Sequence, residues 1–246
     1  MGLLDFFSDK PNQKNIDKLV LRVKERYAQP EYRREAMDKL LAWGTPEAFA
    51  GVLQRFTVVA QSPHWDEEEK RWLVDELAAR ADPARSALRI FLARHDSIAF
   101  AAKALARLTK TKDELLDELH DALRARPPED HRTTQGKAEL IAALADMGDA
   151  RVVAWVLPYV EDHADDVQVA TIDCLEQHLS AQSPVCADAE AALKKVVADD
   201  GRSARVLRHA AAMMSRKKIG VDPSRALAPA VAEDYAVKDG LLVGTH

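Results

Sequence analysis

Apolar residues recur along this chain at helical spacing, and the helices they define come in pairs. Ala36, Leu40 and Trp43 lead into Gly44-Thr45-Pro46 and then a second apolar stretch. Ala101, Leu105 and Leu108 repeat that phrase before Thr109-Lys110-Thr111, and Leu140, Leu144 and Met147 repeat it before Gly148-Asp149-Ala150. Positions i, i+4 and i+7 share one face of a helix, so each phrase is an amphipathic helix that ends in a turn. The spacing predicts helices near Asn15–Tyr27, Glu31–Trp43, Pro46–Val59, Asp66–Arg80, Pro83–Arg94 and Ser97–Thr109. It continues with Lys112–Arg126, Thr133–Met147, Ala150–Val160, Asp165–Ser180, Val185–Asp199 and Ser203–Met214. Aligned on Leu40, Leu77, Leu105, Leu144, Leu175 and Ala211, the pairs are separated by 37, 28, 39, 31 and 36 residues. A recurrence of this kind marks stacked helical units, here about six, with loops absorbing the variation in length.

The punctuation agrees with the periodicity. Thr45-Pro46-Glu47 and Asp82-Pro83 place an N-cap before a proline at the first helical position. Gly44 and Gly148 follow the last periodic apolar residue, where a left-handed C-cap favours a residue without Cβ. Gln61-Ser62-Pro63-His64-Trp65, Pro127-Pro128 and Ser183-Pro184 read as loops. Beyond the array, Pro223–Glu233 predicts a short helix. Tyr235-Ala236-Val237 and Leu241-Leu242-Val243 predict two strands around an Asp239-Gly240 turn. A lone hairpin is marginal in water, so it is expected to pack on the last helices. At the other end, Leu3, Leu4, Phe6 and Phe7 form an apolar tail, too short and too acidic for a signal peptide. The expected organisation is a tail over 1–14, one helical domain over 15–218, and a cap or tail over 219–246.

The second helices resemble the HEAT repeat of the armadillo-like proteins. There the second helix opens with Asp, then Val-Arg, then small or apolar residues four, seven and eight positions after the Val. Asp166-Val167-Gln168 is followed by Thr171, Cys174 and Leu175; Tyr32-Arg33 by Ala36, Lys39 and Leu40; Ser97 by Ala101, Ala104 and Leu105. The resemblance spans roughly residues 15 to 216. It implies an all-α fold, a right-handed α-solenoid of about six hairpins whose second helices line a concave face. The family's arginine position holds Gln168, Ile98 and Ala204 in three of the units, which implies an interrupted Asp–Arg ladder.

Composition narrows the class further. Hydrophobic residues are 47% and charged residues 30%, enough to build a core, and only 9 glycines interrupt an alanine-rich chain. Net charge is −5, against the basic balance of a dedicated nucleic-acid binder. Two cysteines, Cys174 and Cys186, make no disulfide framework, so a reducing cytoplasm is the expected compartment. The charge is unevenly spread. Val152 to Leu193 contains no Lys or Arg but eight acids, among them Glu161, Asp166, Asp173 and Glu176. Arg202, Arg205, Arg208, Arg216, Lys217 and Lys218 follow with no acid between Gly201 and Val221. Either the blocks neutralise each other across adjacent units, or the basic block forms a patch for an acidic protein, phosphate or nucleic acid.

Motifs for chemistry are missing: no phosphate-binding glycine loop, nucleophile elbow, His-Glu-x-x-His or calcium loop occurs. Cys174 and His178 lie four apart on one helix, yet Cys174 falls on a core position and no second ligand pair completes a zinc site. The Asp113, Glu114, Asp117, Glu118 and Asp121 cluster reads as a solvated helix face. No catalytic residue, cofactor or metal is expected. The expected function is a non-catalytic scaffold or adaptor, acting as a monomer on an unidentified protein partner. The candidate binding residues are Arg34, Asp38, Arg71, Asp75 and Lys103, together with Arg205, Arg208 and His209 on the last helix. Arg34–Asp38 and Arg71–Asp75 are i,i+4 pairs at equivalent positions, which Lys103 and His209 share in other units. The alternatives are a nucleic-acid or phosphate binder through residues 202–218, and an enzyme. The resemblance implies two enzyme precedents on similar frames, alkyl-purine DNA glycosylases and bilin lyases.

Overall fold

In the computed structural model, residues 11–245 are described; the apolar Leu3, Leu4, Phe6 and Phe7 segment lies outside them. The chain divides into two compact units, with the boundary between Ala122 and Leu123. The sequence carries no composition break at that point, and the helical periodicity runs through it.

The first unit contains α1 (Gln13–Val23), α2 (Pro30–Trp43), α3 (Pro46–Leu53), α4 (Pro63–Ala78), α5 (Ala81–Leu92), α6 (Ala99–Leu108) and most of α7 (Lys112–Arg124). Helix α1 packs on α2, and α5 on α6, whereas α3 packs on α1 and α2, and α4 on α5 and α6. The first helices pack in the order α1, α3, α5 and the second helices in the order α2, α4, α6. Close approach of α1 to α3 depends on Gly51, where an added Cβ would lie 3.0 Å from Val20 Cγ2 and 3.3 Å from Ile16 Cγ2. The caps follow the sequence signals: Thr45 accepts a hydrogen bond from the Ala48 N–H, and Gly44 ends α2 at φ 62°.

The second unit contains α8 (Thr134–Asp146), α9 (Val152–Val156), α10 (Asp165–His178), α11 (Cys186–Val196), α12 (Ala204–Lys217) and α13 (Pro229–Ala232). Helix α10 is its centre, packed against α8, α9 and α12. Strands β1 (Tyr235–Lys238) and β2 (Leu241–Gly244) pair antiparallel, Tyr235 opposite Gly244 and Lys238 opposite Leu241. Asp239 and Gly240 turn the hairpin with φ 50° and 77°, the positive pair that a type I′ turn requires. The hairpin and α13 pack on α12: Leu242 and Val231 are buried, and Ser215 Oγ donates to the Leu242 carbonyl at 2.9 Å.

The aligned residues Leu40, Leu77, Leu105, Leu144, Leu175 and Ala211 are all fully buried, so the periodicity read from the sequence is the periodicity of the core. Each buried leucine is worth about 1.5–3 kcal/mol of apolar transfer.

Four local expectations are corrected. The helix expected over Pro46–Val59 ends at Leu53 and continues as a 3-10 turn over Gln54–Thr57. There the Val58 carbonyl accepts from the inward-turned Arg55 guanidinium at 3.0 Å instead of continuing a helical ladder. The helix expected over Ala150–Val160 likewise tightens to 3-10 over Leu157–Glu161, where Pro158 lacks the N–H an α-turn needs. Finally, α4 starts at Pro63 rather than Asp66, and α5 starts at Ala81, so Asp82 lies inside its first turn rather than capping it.

Candidate functional site

Buried charge holds the second helices in place. The residue seven before each aligned core position is Arg33, Lys70, Ile98, Lys137, Gln168 and Ala204 in turn, and the first five are buried. Arg33 reaches from α2 to Glu69 on α4, its Nη2 at 2.8 Å and Nε at 3.0 Å from Oε2, while its Nη1 donates to the carbonyls of Glu25 and Ala28. Arg55 donates to Asp66 at 2.5 Å and to the same Glu69 oxygen at 3.0 Å. Lys70 donates to the other Asp66 oxygen at 2.7 Å, and the Ala60 N–H to Asp66 Oδ1 at 2.8 Å. Burial pushes the Asp66 carboxyl up, but the hydrogen bonds from Lys70, Ala60 and Arg55 outweigh it and hold the acid below its ordinary range.

In the second unit Lys137 pairs with Asp162, both fully buried, and donates to the Asp130 carbonyl at 2.8 Å. Gln168 donates to the Asp162 carbonyl and accepts from Arg202 at 2.8 Å. A neutral amide at the arginine position therefore still joins neighbouring helices. The interruption expected at Gln168 is a change of charge, not a loss of the link.

The eight candidate residues have these places. Arg34 lies 3.5 Å from Asp38, as expected for i,i+4, and its guanidinium also stacks over the Trp72 ring, 3.1 Å from the centroid. Arg71 and Asp75 do not pair: Arg71 bonds Glu67 at 2.9 Å, and Asp75 pairs with Arg107 of α6. Glu67 precedes Arg71 by four residues, the favourable order along the helix dipole, and Arg107 ties Asp75 across helices. Lys103 sits 4.8 Å above the Phe100 ring. On α12, Arg205 bonds Asp166 at 2.5 Å, His209 bonds Asp173 at 2.6 Å, and Arg208 bonds Asp234 at 2.7 Å and Glu233 at 3.0 Å.

The two charge blocks thus face each other. Arg216 makes a two-pronged contact with Glu176 at 2.6 and 2.7 Å, and Arg202 and Lys195 share Glu161. The Arg216 hydrogen bonds hold the Glu176 carboxyl below its usual range. Burial raises Glu161, but Lys195 and Arg202 more than offset it. The patch that residues 202–218 were a candidate to form is occupied largely by this chain's own carboxylates. The Cys174–His178 pair also separates in role. Burial pushes the Cys174 thiol up to about 12, and His178 Nε2 meets the Ala145 carbonyl at 2.7 Å.

The residue that sequence reasoning missed is Trp65. The sequence pattern assigns it to a loop, yet it lies in the first turn of α4, 49% exposed. Seven residues along one helix is two turns, so Trp65 and Trp72 share a face of α4 with Glu68 between them. Together with Pro30, Glu31 and Arg34 of α2 they line a cleft of about 370 Å³. Trp65 and Pro30 also wall a second cleft of about 180 Å³ that runs to Tyr27, which is 73% exposed. The signal was available: Ser62-Pro63 repeats the Thr45-Pro46 helix start, and Trp65 and Trp72 stand at i and i+7.

Two other clefts differ in chemistry. An apolar one of about 230 Å³ lies between α3 and α5, lined by Pro46, Leu53, Pro83, Ile90 and Phe91. One of about 300 Å³ lies between α8 and α10, lined by alanines and by Asp146, Asp173 and Glu176. No helix among the described residues is long and apolar enough to cross a membrane. No protein-family model, no curated protein and no solved structure matches the chain.

Proposed function

We propose that this protein is a non-catalytic interaction scaffold of the HEAT-like kind, acting on a protein partner in the cytoplasm. Its binding face is formed by the second helices of the first unit. The observation that carries this reading is the exposed Trp65–Trp72 cleft between α2 and α4. An exposed tryptophan and a partly buried one on one helix face, beside charged residues, have the composition of interaction hot spots. Arg34 stacks over Trp72 beside the cleft and pairs with Asp38, which supports counting these two candidates with this face; Lys103, over Phe100 of α6, is proposed as its extension. On α12 Arg205, Arg208 and His209 are each bonded to acids, which supports a structural role for them over nucleic-acid or phosphate recognition.

The test is affinity capture from an extract of the native cell, read by mass spectrometry. Wild type is compared with Trp65→Ala/Glu68→Lys and with Arg205→Glu/Arg208→Glu, each checked for unchanged helical content. The expected result is a specific protein set lost with the first variant and kept with the second. Survival of the set in the first variant overturns the assignment of this face.

A further inference from the structure

Building on the reading of this face as the binding face, we infer that its occupant is an extended, proline-rich segment of a partner protein bearing a basic residue. Four observations combine. First, the walls are aromatic and prolyl: Tyr27, Pro30, Trp65 and Trp72 lie along the two joined clefts. Flat apolar faces suit pyrrolidine rings, which stack on indole and phenol without a hydrogen-bond requirement of their own. Second, Trp65 and Trp72 each bring an indole N–H to the cleft lining. An indole N–H donates only. A polyproline segment is the matching ligand, because its backbone offers carbonyl acceptors and no N–H donors.

Third, the spacing fits. Trp65 and Trp72 are separated by seven residues of helix, about 10.5 Å of rise. One turn of a polyproline II helix advances three residues, about 9 Å. A segment laid along α4 therefore brings one proline to the Trp65 ring and, one turn on, another to the edge of Trp72, whose ring face carries the Arg34 guanidinium.

Fourth, the polar residues of the cleft have a sign. Glu31 and Glu68 line it; no described cation pairs with Glu31, and only His64, at 3.4 Å, approaches Glu68. In this cleft Arg34 is committed to Asp38 and Trp72; in the second cleft Arg33 is committed to Glu69, and Arg26 donates to the Val59 carbonyl at 2.9 Å. A Lys or Arg beside the prolines is complementary to the two carboxylates, whereas an acidic segment meets repulsion. Preformed polyproline loses little conformational freedom on binding, so a short exposed cleft suffices for recognition.

The test uses the full chain and three synthetic peptides in calorimetric titrations. They are a run of ten prolines flanked by arginines, the same run flanked by glutamates, and an arginine-flanked glycine-serine run of equal length. An unbroken proline run presents every register, so no knowledge of the natural sequence is needed. The arginine-flanked proline peptide is expected to bind at least about ten-fold more tightly than either control. Trp65→Ala is expected to weaken it by about ten-fold or more. Glu31→Gln/Glu68→Gln is expected to bring the two proline peptides together, as does added salt. Equal binding of the glycine-serine peptide, or binding unchanged in Trp65→Ala, overturns the inference. So does a dimer in sedimentation that Trp65→Ala dissolves, which gives the face to a second copy of this chain. Native capture that depends on Trp65 while no proline peptide binds sinks the inference alone and leaves the scaffold reading standing. Capture independent of Trp65 removes both.

Discussion

The two units solve one packing problem and present different surfaces. In both, a core aligned every 28 to 39 residues is crossed by a buried hydrogen-bonding side chain seven positions before the aligned leucine: Arg33 and Lys70 in the first, Lys137 and Gln168 in the second. Outside that frame they diverge. The second helices of the second unit are zipped by ion pairs, Arg205 to Asp166 and Arg216 to Glu176, and by a hydrogen bond between His209 and Asp173, each from α12 to α10. The corresponding face of the first unit keeps two tryptophans partly exposed and a cleft between α2 and α4. A polar surface that satisfies itself has little left to offer a partner. An aromatic one retains free energy to be gained by burial. The difference supports a stabilising role for one face and the proposed binding role for the other.

The largest expected effect lies in the frame that the units share. Glu69→Ala leaves Arg33 buried without its carboxylate, removes one of the two that Arg55 contacts, and is expected to cost about 3–5 kcal/mol in urea unfolding, as is Lys137→Met through the stranded Asp162. A cost under about 1 kcal/mol in either would mean that the buried pairs are not the common element.

Acid should strike the same frame next. Asp66 has a folded-state pKa below its unfolded value, so its contribution is fully present above the ordinary carboxylate pKa near 4 and is lost as pH falls through the lower folded value. Glu161 and Glu176 are lowered too and act in the same direction. Stability measured from pH 6 downward should therefore decline below about pH 4. Asp66→Asn should flatten the decline at every salt concentration, whereas Glu176→Gln, at an exposed pair, should flatten it only at low salt. Equal salt sensitivity of the two variants would erase the distinction between buried frame and surface zip.

The smallest effect belongs to the zip itself. Arg205→Ala or Arg216→Ala is expected to cost at most about 1 kcal/mol each, diminishing with salt. If either costs as much as Glu69→Ala, the ion pairs between α10 and α12 are structural keystones rather than surface complementarity.

Much of this architecture was legible in the residues. Every helix expected up to Lys217 is present, because spacing of three and four residues reports directly which face is buried. The Asp239-Gly240 turn announced its hairpin for the same kind of local reason: few residues adopt positive φ cheaply. The charge blocks were legible as blocks, but not their mutual pairing. Arg71 was matched to Asp75 by i,i+4 spacing, and the structure gives Asp75 to Arg107, thirty-two residues away. Trp65 was lost by a shift of three residues in a helix start, since Ser62-Pro63 reads equally as a loop and as a cap.

The sequence by itself determined the helices, their pairing into a repeating phrase and the core positions, since these depend on periodicity and on local backbone chemistry. The tertiary structure decided which charged groups meet, where the chain divides into two compact units, and that Trp65, Pro30 and Trp72 line one cleft. Those outcomes depend on distances between residues far apart in the chain, and loops of uneven length set such distances without leaving a local pattern to read.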